Sequence, residues 1–203
     1  QSTWVPGSTF KAITAAIGVE SGGINPDENL GYVGLSWQKD ASWGNYYVTT
    51  LTDYGDQVNL ENALVYSDNI YFARAALNIG AETMISKFKA MGFNEEIPFE
   101  MSLKSSTYDD DDNIDSDIQL ADTGYGQGQL LVNPVHLLSM YSMFVNDGNM
   151  IRPTLAYQDG YTGQFWKEQV ISSAAVETVK NDLIQVIENP SGTGASAKID
   201  GVT

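Results

Sequence analysis

Cysteine is absent from this chain of 203 residues, and His136 is its single histidine. The absence of cysteine excludes a disulfide framework, a zinc–thiolate centre and a cysteine nucleophile. One histidine cannot build a multi-histidine metal site, and a Ser-His-Asp triad would have to include His136. If the chain carries a catalytic nucleophile, its composition predicts that the base beside it is a lysine or a carboxylate.

Basic residues are scarce as well. Lysine and arginine total 10 against 26 aspartate and glutamate residues, which gives a net charge of -16. This balance argues against nucleic acid and against an anionic membrane surface as partners, because both need basic patches. No hydrophobic run approaches the roughly 18 residues of a membrane span. With 42% hydrophobic residues, the chain is expected to be globular, with one sizeable core or two small ones.

A serine and a lysine stand three residues apart at the start of a predicted helix. Pro6 and Gly7 interrupt the incoming chain, Ser8 and Lys11 follow, and hydrophobic residues continue at helical spacing to Ile17. Residues three apart share a helix face, so the amine can reach the hydroxyl. A lysine whose pKa is lowered by burial can activate a serine. The pattern is common, and a serine near a helix start with a lysine in the first turn is the structural alternative.

Capping residues and helical spacing predict a chain that is mostly α with a few short strands. The helices are expected at residues 8–20, 59–66, 68–80, 81–91, 134–145 and 173–188, and the strands at 31–35, 46–50, 152–158 and 164–171. An acidic loop region is expected at 93–118. The glycine-rich residues 124–128 are interpreted as a turn that leads into the next helix.

The tripeptide Ser67-Asp68-Asn69 is a second motif, at the joint between two predicted helices. Such a turn can direct a hydroxyl and a carboxamide into a cleft, while Asp68 turns back to hold the turn. Alone it indicates little, because aspartate and asparagine also favour helix starts. Ser-x-x-Lys followed by Ser-Asp-Asn is more specific, since this order is the signature of class A β-lactamases and penicillin-binding proteins.

Three other features have simpler interpretations. The acidic run at 109–117 lacks the central glycine and the final glutamate of an EF-hand loop, so a solvated loop is predicted rather than a calcium site. The glycine-rich residues 124–128 lack a following Gly-Lys-Ser/Thr, which argues against a phosphate-binding loop. His136, in the first turn of its helix, is predicted to be structural.

Over nearly its whole length the chain resembles the transpeptidase domain of a class B penicillin-binding protein, in particular the low-affinity type associated with β-lactam resistance in Gram-positive bacteria. The segments that carry the resemblance are residues 6–11, 37–44, 66–70 and 120–128, followed by Asn133-Pro134 at a helix start.

The resemblance implies the helical part of the α+β fold shared by penicillin-binding proteins and β-lactamases. The third family motif, Lys-Ser/Thr-Gly, is absent, and Gly192-Thr193-Gly194 resembles it only superficially. Residues 1–203 are therefore expected to be a partial transpeptidase domain, truncated at both ends, with the central sheet largely missing. The fragment alone is expected to be inactive, with Phe10, Ile13 or Ile17 exposed where the sheet would lie.

The implied activity is that of a D,D-transpeptidase, which cross-links peptidoglycan stem peptides through a serine acyl-enzyme and is itself acylated by penicillin. Ser8 would be the nucleophile, Lys11 its base and Ser67 the group that relays a proton to the leaving amine. Asn69 would bond both Lys11 and the substrate. Gln127 lies where the loop of the family borders the cleft. No metal or cofactor is implied.

The implied partners are peptidoglycan stem peptides, β-lactam antibiotics and the cell-wall synthesis machinery. The implied location is the extracellular face of the bacterial cytoplasmic membrane, with an N-terminal anchor outside this chain. Two alternatives stay open: a β-lactamase or β-lactam sensor domain, and a helical binding module whose motifs match by chance. A class A β-lactamase would need a Glu-x-x-Leu-Asn stretch, which no glutamate here begins.

Overall fold

The computed structural model describes residues 2–156 and 159–202, which are mostly helical. The helices within these ranges are α1 (Lys11–Ser21), α2 (Leu60–Val65), α3 (Asn69–Ile79), α4 (Ala81–Ala90), α5 (Asp117–Gly124), α6 (Pro134–Ser142) and α7 (Ser173–Glu188). The strands are β1 (Ser36–Trp37), β2 (Val48–Thr49), β3 (Met150–Ile151) and β4 (Phe165–Lys167). The predicted class, mostly α with a few short strands, is confirmed.

Side-chain caps fix the starts of most helices. Asn59 begins α2 by accepting the Asn62 N–H at 3.0 Å, and Ser172 begins α7 in the same manner. At the other end of α1, Gly22 adopts a left-handed conformation with φ 77°, which only glycine takes at little cost. These residues are visible in the sequence, and the helix ends they predict are confirmed to within a few residues.

Helix α5 was not predicted from the sequence; its first two residues lie in the predicted acidic loop, and its last, Gly124, lies in the predicted turn. Ser116 caps α5 by accepting the N–H of Gln119 at 3.1 Å. Gly124 packs so closely on α3 that a Cβ there would lie 2.3 Å from the Phe72 carbonyl oxygen. The glycine that permits this contact also lowers helix propensity, so the local pattern is misleading.

The strands form two small antiparallel sheets. Ser36 of β1 lies opposite Thr49 of β2, and Met150 of β3 lies opposite Lys167 of β4. The predicted strand at 31–35 is wrong, because Gly31 takes a positive φ of 73° that breaks the extended chain. Of the predicted strand 152–158, residues 157 and 158 lie outside the described residues.

Helix α1 runs through the middle of the core. Phe10, Ile13 and Ile17 have no exposed surface, and every residue of α1 from Lys11 to Gly18 is buried. The elements that cover α1 are α2, α3, α4 and α7. The expectation that the hydrophobic side of α1 is exposed is therefore wrong.

One patch of exposed hydrophobic residues lies on α6, α7 and their neighbours instead. Leu138 is 70% exposed and Val145 74% exposed, and Ile199 follows at 65%. A groove of about 730 Å³ runs along α7 between Leu183 and Ile187. Contiguous apolar surface of this kind marks a contact face, and we call the set Leu138, Val145, Leu183, Ile187 and Ile199 the bare face.

Candidate active site

Ser8 lies in a short 3-10 turn, Gly7–Phe10, that leads directly into α1. Gly7 begins the turn with a positive φ of 57° and donates its N–H to the Gly126 carbonyl at 2.9 Å. A Cβ on Gly126 would lie 2.0 Å from the Gly7 oxygen, so only glycine allows the two loops to touch. The turn holds Ser8 exposed to solvent, while the next but one residue, Phe10, is buried.

Lys11, by contrast, is only 2% exposed. Its Nζ lies 3.0 Å from the Ser8 Oγ and 2.8 Å from the Ser67 Oγ. It also donates to the Ser67 carbonyl oxygen and to the Asn69 Oδ1, both at 2.7 Å. The structure thus brings Ser8, Lys11, Ser67 and Asn69 into one cluster, although the two motifs are far apart in the chain.

The Ser67-Asp68-Asn69 turn is held in an unusual conformation. Ser67 has a φ of 55°, in the left-handed region that few non-glycine residues adopt. Asp68 follows as the N-cap of α3, where its Oδ1 accepts the Ile70 N–H at 2.8 Å and the Tyr71 N–H at 3.2 Å. The left-handed residue and the cap together aim the Ser67 carbonyl and hydroxyl at Lys11.

The orientation of the Asn69 carboxamide is set by its second contact. Its Nδ2 donates to the Thr49 carbonyl oxygen of β2 at 2.9 Å, which leaves Oδ1 to face Lys11. The short β1–β2 sheet therefore has a direct part in the site. Thr49 acts through its backbone, so no side-chain pattern indicated it.

The contacts of Lys11 match those of a neutral amine. A neutral amine has two N–H donors and one lone pair, and the Ser67 carbonyl and the Asn69 Oδ1 can only accept. These two oxygens use both donors, so the lone pair is left for the hydroxyl of Ser8 or Ser67. Burial lowers the pKa of Lys11 to about 8, although the Asp68 carboxylate raises it in opposition. Roughly a tenth of the molecules then carry the free amine at pH 7.

Gln127 lies beside the nucleophile turn. Its Nε2 is 3.9 Å from the place where a Cβ on Gly7 would be, and its backbone N–H donates to the Asp122 carbonyl at 2.9 Å. The side chain is exposed and is not among the groups bonded to Lys11. The position borders the cluster, and its contact with a substrate stays a prediction.

His136 forms its hydrogen bonds outside the cluster of Ser8, Lys11, Ser67 and Asn69. It is fully buried, with Nδ1 2.8 Å from the Ser106 Oγ and Nε2 2.9 Å from the Met91 carbonyl oxygen.

The acidic run at 109–117 forms hydrogen bonds within its own loop, such as that from the Asp111 N–H to Asp109 at 2.8 Å. In the described parts of the chain, no three or more histidine or carboxylate side chains are grouped so that they could hold a metal ion.

The whole chain matches one family model. The model describes the penicillin binding protein transpeptidase domain, and it matches residues 1–203. The chain belongs to this transpeptidase family. Penicillin-binding protein 3 of Bacillus subtilis (strain 168) is 43% identical over 201 residues, which cover 99% of this chain and 30% of that protein. The prediction of a class B penicillin-binding protein transpeptidase domain is confirmed.

More distant relatives agree with this family. A protein named peptidoglycan D,D-transpeptidase FtsI homolog, from Mesostigma viride, is 27% identical over 225 residues, or 97% of this chain and 37% of that protein. The chain thus spans about a third of the length of the curated relatives it matches. The transpeptidase domain of Burkholderia pseudomallei penicillin-binding protein 3 superposes with a TM-score of 0.84 at 19% identity, covering 98% of this chain and 58% of that one. This likeness confirms the predicted fold.

One side chain next to the cluster was missed by the sequence analysis. Tyr54 donates its hydroxyl to the Asp68 Oδ2 at 2.6 Å and stacks on the Tyr66 ring, with the ring centres 4.7 Å apart. Tyr54 stands in an irregular segment between β2 and α2, with no motif around it.

None of the helices in the described residues is long and apolar enough to cross a membrane.

Proposed function

We propose that this transpeptidase domain transfers an acyl group through Ser8, as a D,D-transpeptidase that cross-links peptidoglycan stem peptides. The observation that carries the proposal is the geometry of Lys11. Its two donors are taken by the Ser67 carbonyl and the Asn69 Oδ1, which leaves its lone pair for the exposed Ser8 hydroxyl at 3.0 Å. An exposed hydroxyl beside a buried amine is an activated nucleophile in those molecules whose amine is neutral, and the lowered pKa of Lys11 increases that fraction.

The first half of the reaction forms an ester on Ser8. The Ser8 Oγ attacks the carbonyl between the two D-alanines, and its proton passes to the Lys11 Nζ. The free N–H groups at the start of the helix favour the oxyanion that develops. As the C–N bond breaks, the Ser67 hydroxyl gives its proton to the leaving amine and regains one from Lys11, whose Nζ lies 2.8 Å away. The D-alanine leaves as a free amine that still carries its carboxylate, and Lys11 is again a free amine.

The second half transfers the acyl group to another stem peptide. The amine of that peptide attacks the ester carbonyl and forms a new C–N bond. The ester C–O bond to Ser8 breaks, and the proton of the amine passes through Ser67 and Lys11 to the Ser8 Oγ. A β-lactam enters as the first substrate would, and its ring opens onto Ser8. Gln127, at the edge of the turn, is proposed to border the bound peptide. Low affinity for β-lactams, a membrane anchor and contacts with the cell-wall machinery stay predictions.

The bare face fits a domain whose sheet is supplied by further chain. The family has a central sheet, and its Lys-Ser/Thr-Gly motif, which does not occur in residues 1–203, lies on one strand of that sheet. We propose that this sheet covers Leu138, Val145 and Ile187, which are otherwise exposed or line an open groove. The 203-residue chain alone is then expected not to be acylated, because the second oxyanion donor and the carboxylate contacts are missing.

Labelling with a fluorescent penicillin tests the proposal in the full-length gene product. We expect one stoichiometric adduct, located on Ser8 by mass spectrometry, and none in Ser8→Ala. The matched control is Ser102→Ala, which removes an exposed serine from a distant loop and is expected to be labelled at the normal rate. Labelling of Ser8→Ala at the wild-type rate would reject Ser8 as the nucleophile. Rapid hydrolysis of the adduct would instead favour the β-lactamase alternative.

A further inference from the structure

Tyr54 holds the Ser67 turn from both sides. Its ring is stacked on Tyr66, the residue before Ser67, with the planes 5° apart. Its hydroxyl bonds Asp68, the residue after Ser67, at 2.6 Å. Since Ser67 itself is in a left-handed conformation that costs free energy, the turn needs restraint from its surroundings, and one side chain supplies it on both flanks.

Asp68 is buried, and its two oxygens are occupied by neutral donors. It is 5% exposed, Oδ1 accepts two backbone N–H groups of α3, and Oδ2 accepts the Tyr54 hydroxyl. In the described residues no lysine or arginine forms a salt bridge with Asp68. A buried carboxylate with no paired cation keeps a strong electrostatic field around it. This field acts on the Lys11 amine.

The link from Asp68 to Lys11 passes through a single peptide group. Lys11 donates to the Ser67 carbonyl at 2.7 Å, and this carbonyl belongs to the peptide bond that joins Ser67 to Asp68. Burial raises the pKa of Tyr54, with Asp68 adding to the rise, so Tyr54 stays a donor across the working pH range. The carboxylate therefore keeps its orientation while Lys11 titrates.

Helix α1 and the helices packed against it carry other charged groups, and two of these, Arg74 and Lys87, have partners of their own. Arg74 of α3 donates to the Leu30 and Gly31 carbonyls, and Lys87 of α4 pairs with Glu20 of α1 at 3.4 Å. The remaining ones are Glu61 on α2, Glu82 and Lys89 on α4, and Glu177, Lys180, Asp182 and Glu188 on α7. Asp68 is the charged group whose field acts on Lys11.

We propose that Tyr54 and Asp68 are a positioning pair for the acyl-transfer site: Tyr54 fixes the Asp68 carboxylate, and that carboxylate holds the Ser67 turn and the Lys11 amine in their working arrangement. The inference rests on the proposed function, and it assigns a role to two residues that touch neither the substrate nor the nucleophile. Asp68 then contributes to the site through its negative charge as well as through the hydrogen bonds that its side chain accepts.

The first test measures the protonation of Lys11 directly, without any substrate. The 203-residue protein is labelled with carbon-13 at lysine Cε, and the Lys11 signal is assigned by its loss in Lys11→Arg. In Asp68→Asn, which keeps an acceptor for the α3 backbone but removes the charge, the midpoint of the Lys11 titration should move to lower pH by about one unit. Asp56→Asn removes an exposed charge from the same loop as Tyr54 and should leave the midpoint in place.

The second test follows penicillin acylation of the full-length protein against pH. Tyr54→Phe keeps the stacked ring but loses the hydroxyl, and we expect acylation to fall about tenfold at the high-pH plateau because the Ser67 turn loosens. In Asp68→Asn the rising limb of the profile should shift to lower pH together with the Lys11 titration. A purely structural pair would lower the rate by one factor at every pH.

The outcomes separate this inference from the function on which it rests. No labelling of Ser8 in the full-length wild type, together with a Lys11 midpoint that still responds to Asp68→Asn, would reject the transpeptidase function and support the pair. Ser8 labelled normally, with the Lys11 midpoint unchanged in a folded Asp68→Asn protein, would overturn the pair. Full acylation by Tyr54→Phe at the plateau would overturn the part assigned to Tyr54.

Discussion

Two buried bases, Lys11 and His136, give this molecule a useful internal comparison. Lys11 is 2% exposed and His136 has no exposed surface. Burial lowers the pKa of both, to about 8 for Lys11 and to about 4 for His136. By the size of the pKa change alone, the histidine is as good a candidate for a catalytic base as the lysine.

Their hydrogen bonds differ in what they leave free. Both ring nitrogens of His136 are used, by Ser106 and by the Met91 carbonyl, and Phe93 and Trp166 pack on the ring with centres 5.1 and 5.0 Å away. The Lys11 Nζ keeps one direction open toward an exposed hydroxyl. A perturbed pKa therefore marks a catalytic base only where a nucleophile that solvent can reach lies within hydrogen-bond distance.

The largest predicted effect comes from changing each base in turn in the full-length protein. Lys11→Arg keeps a positive charge that cannot be lost near neutral pH, so acylation of Ser8 should fall by at least about a hundredfold. His136→Gln should leave the acylation rate per folded molecule close to that of the wild type. The measurement is the second-order rate of penicillin labelling, normalised to the folded fraction from circular dichroism.

Either of the two variants can contradict the proposed difference between Lys11 and His136. A Lys11→Arg protein that reacts within tenfold of the wild type would make Lys11 a structural residue like His136. A folded His136→Gln protein that reacts a hundredfold more slowly would connect the histidine to the chemistry.

A smaller effect is expected when the partner that holds Lys11 is changed. Asn69→Ala removes the Oδ1 that accepts from Lys11 and the Nδ2 that donates to the Thr49 carbonyl. Leaving the buried Lys11 amine without this acceptor should slow acylation by up to about a hundredfold. Asn69→Asp instead places a negative charge on the amine, which should raise the pKa of Lys11 and move the acylation profile to higher pH. Identical profiles for the two variants would show that the contact with Asn69 does not control the lysine.

The sequence predicted those parts of the structure that depend on neighbours in the chain. The helix caps at Asn59 and Asp68, and the helical spacing that puts Ser8 beside Lys11, are local patterns, and the structure contains them. The meeting of the two motifs followed only from the family resemblance. No spacing rule brings Ser67 to Lys11, because that contact depends on how α3 packs against α1.

Apart from the strand at 31–35, which the local conformation of Gly31 excludes, the failures are long-range effects. The hydrophobic residues Ile13 and Ile17 were expected on an open side, yet α3 and α7 bury them, and the bare face lies on α6 and α7. Helix α5 depends on the tight contact of Gly124 with α3, which local propensity cannot reveal. The role of Tyr54 needs contacts with two residues of another segment, and an isolated tyrosine in a loop carries no such signal.

The smallest predicted effect is on the free energy of unfolding, and it tests the pKa of His136 separately from that of Lys11. The folded state keeps His136 neutral down to a pKa of about 4, whereas the unfolded chain titrates near the ordinary value of 6.5. Between these pH values His136 is protonated in the unfolded state and neutral in the folded state. The free energy of unfolding therefore falls as the pH is lowered. Above about pH 6.5 both states are neutral and the contribution is complete. The loss by pH 4 should be about 3 kcal/mol.

Urea unfolding of the wild type and His136→Gln at several pH values between 7 and 4 measures this contribution as a difference. The difference is needed because burial, together with Glu61 and Asp27, raises the pKa of Asp182 to about 6, which gives a pH dependence of the opposite sign in the same window. His136→Gln cannot take up a proton, so the gap between the two proteins should narrow as the pH falls, while Asp182→Asn should leave that narrowing in place. A gap that stays constant down to pH 4 would mean that the folded state takes up the proton at the same pH as the unfolded chain. The pKa of His136 would then not be lowered by burial, and the contrast with Lys11 would fail.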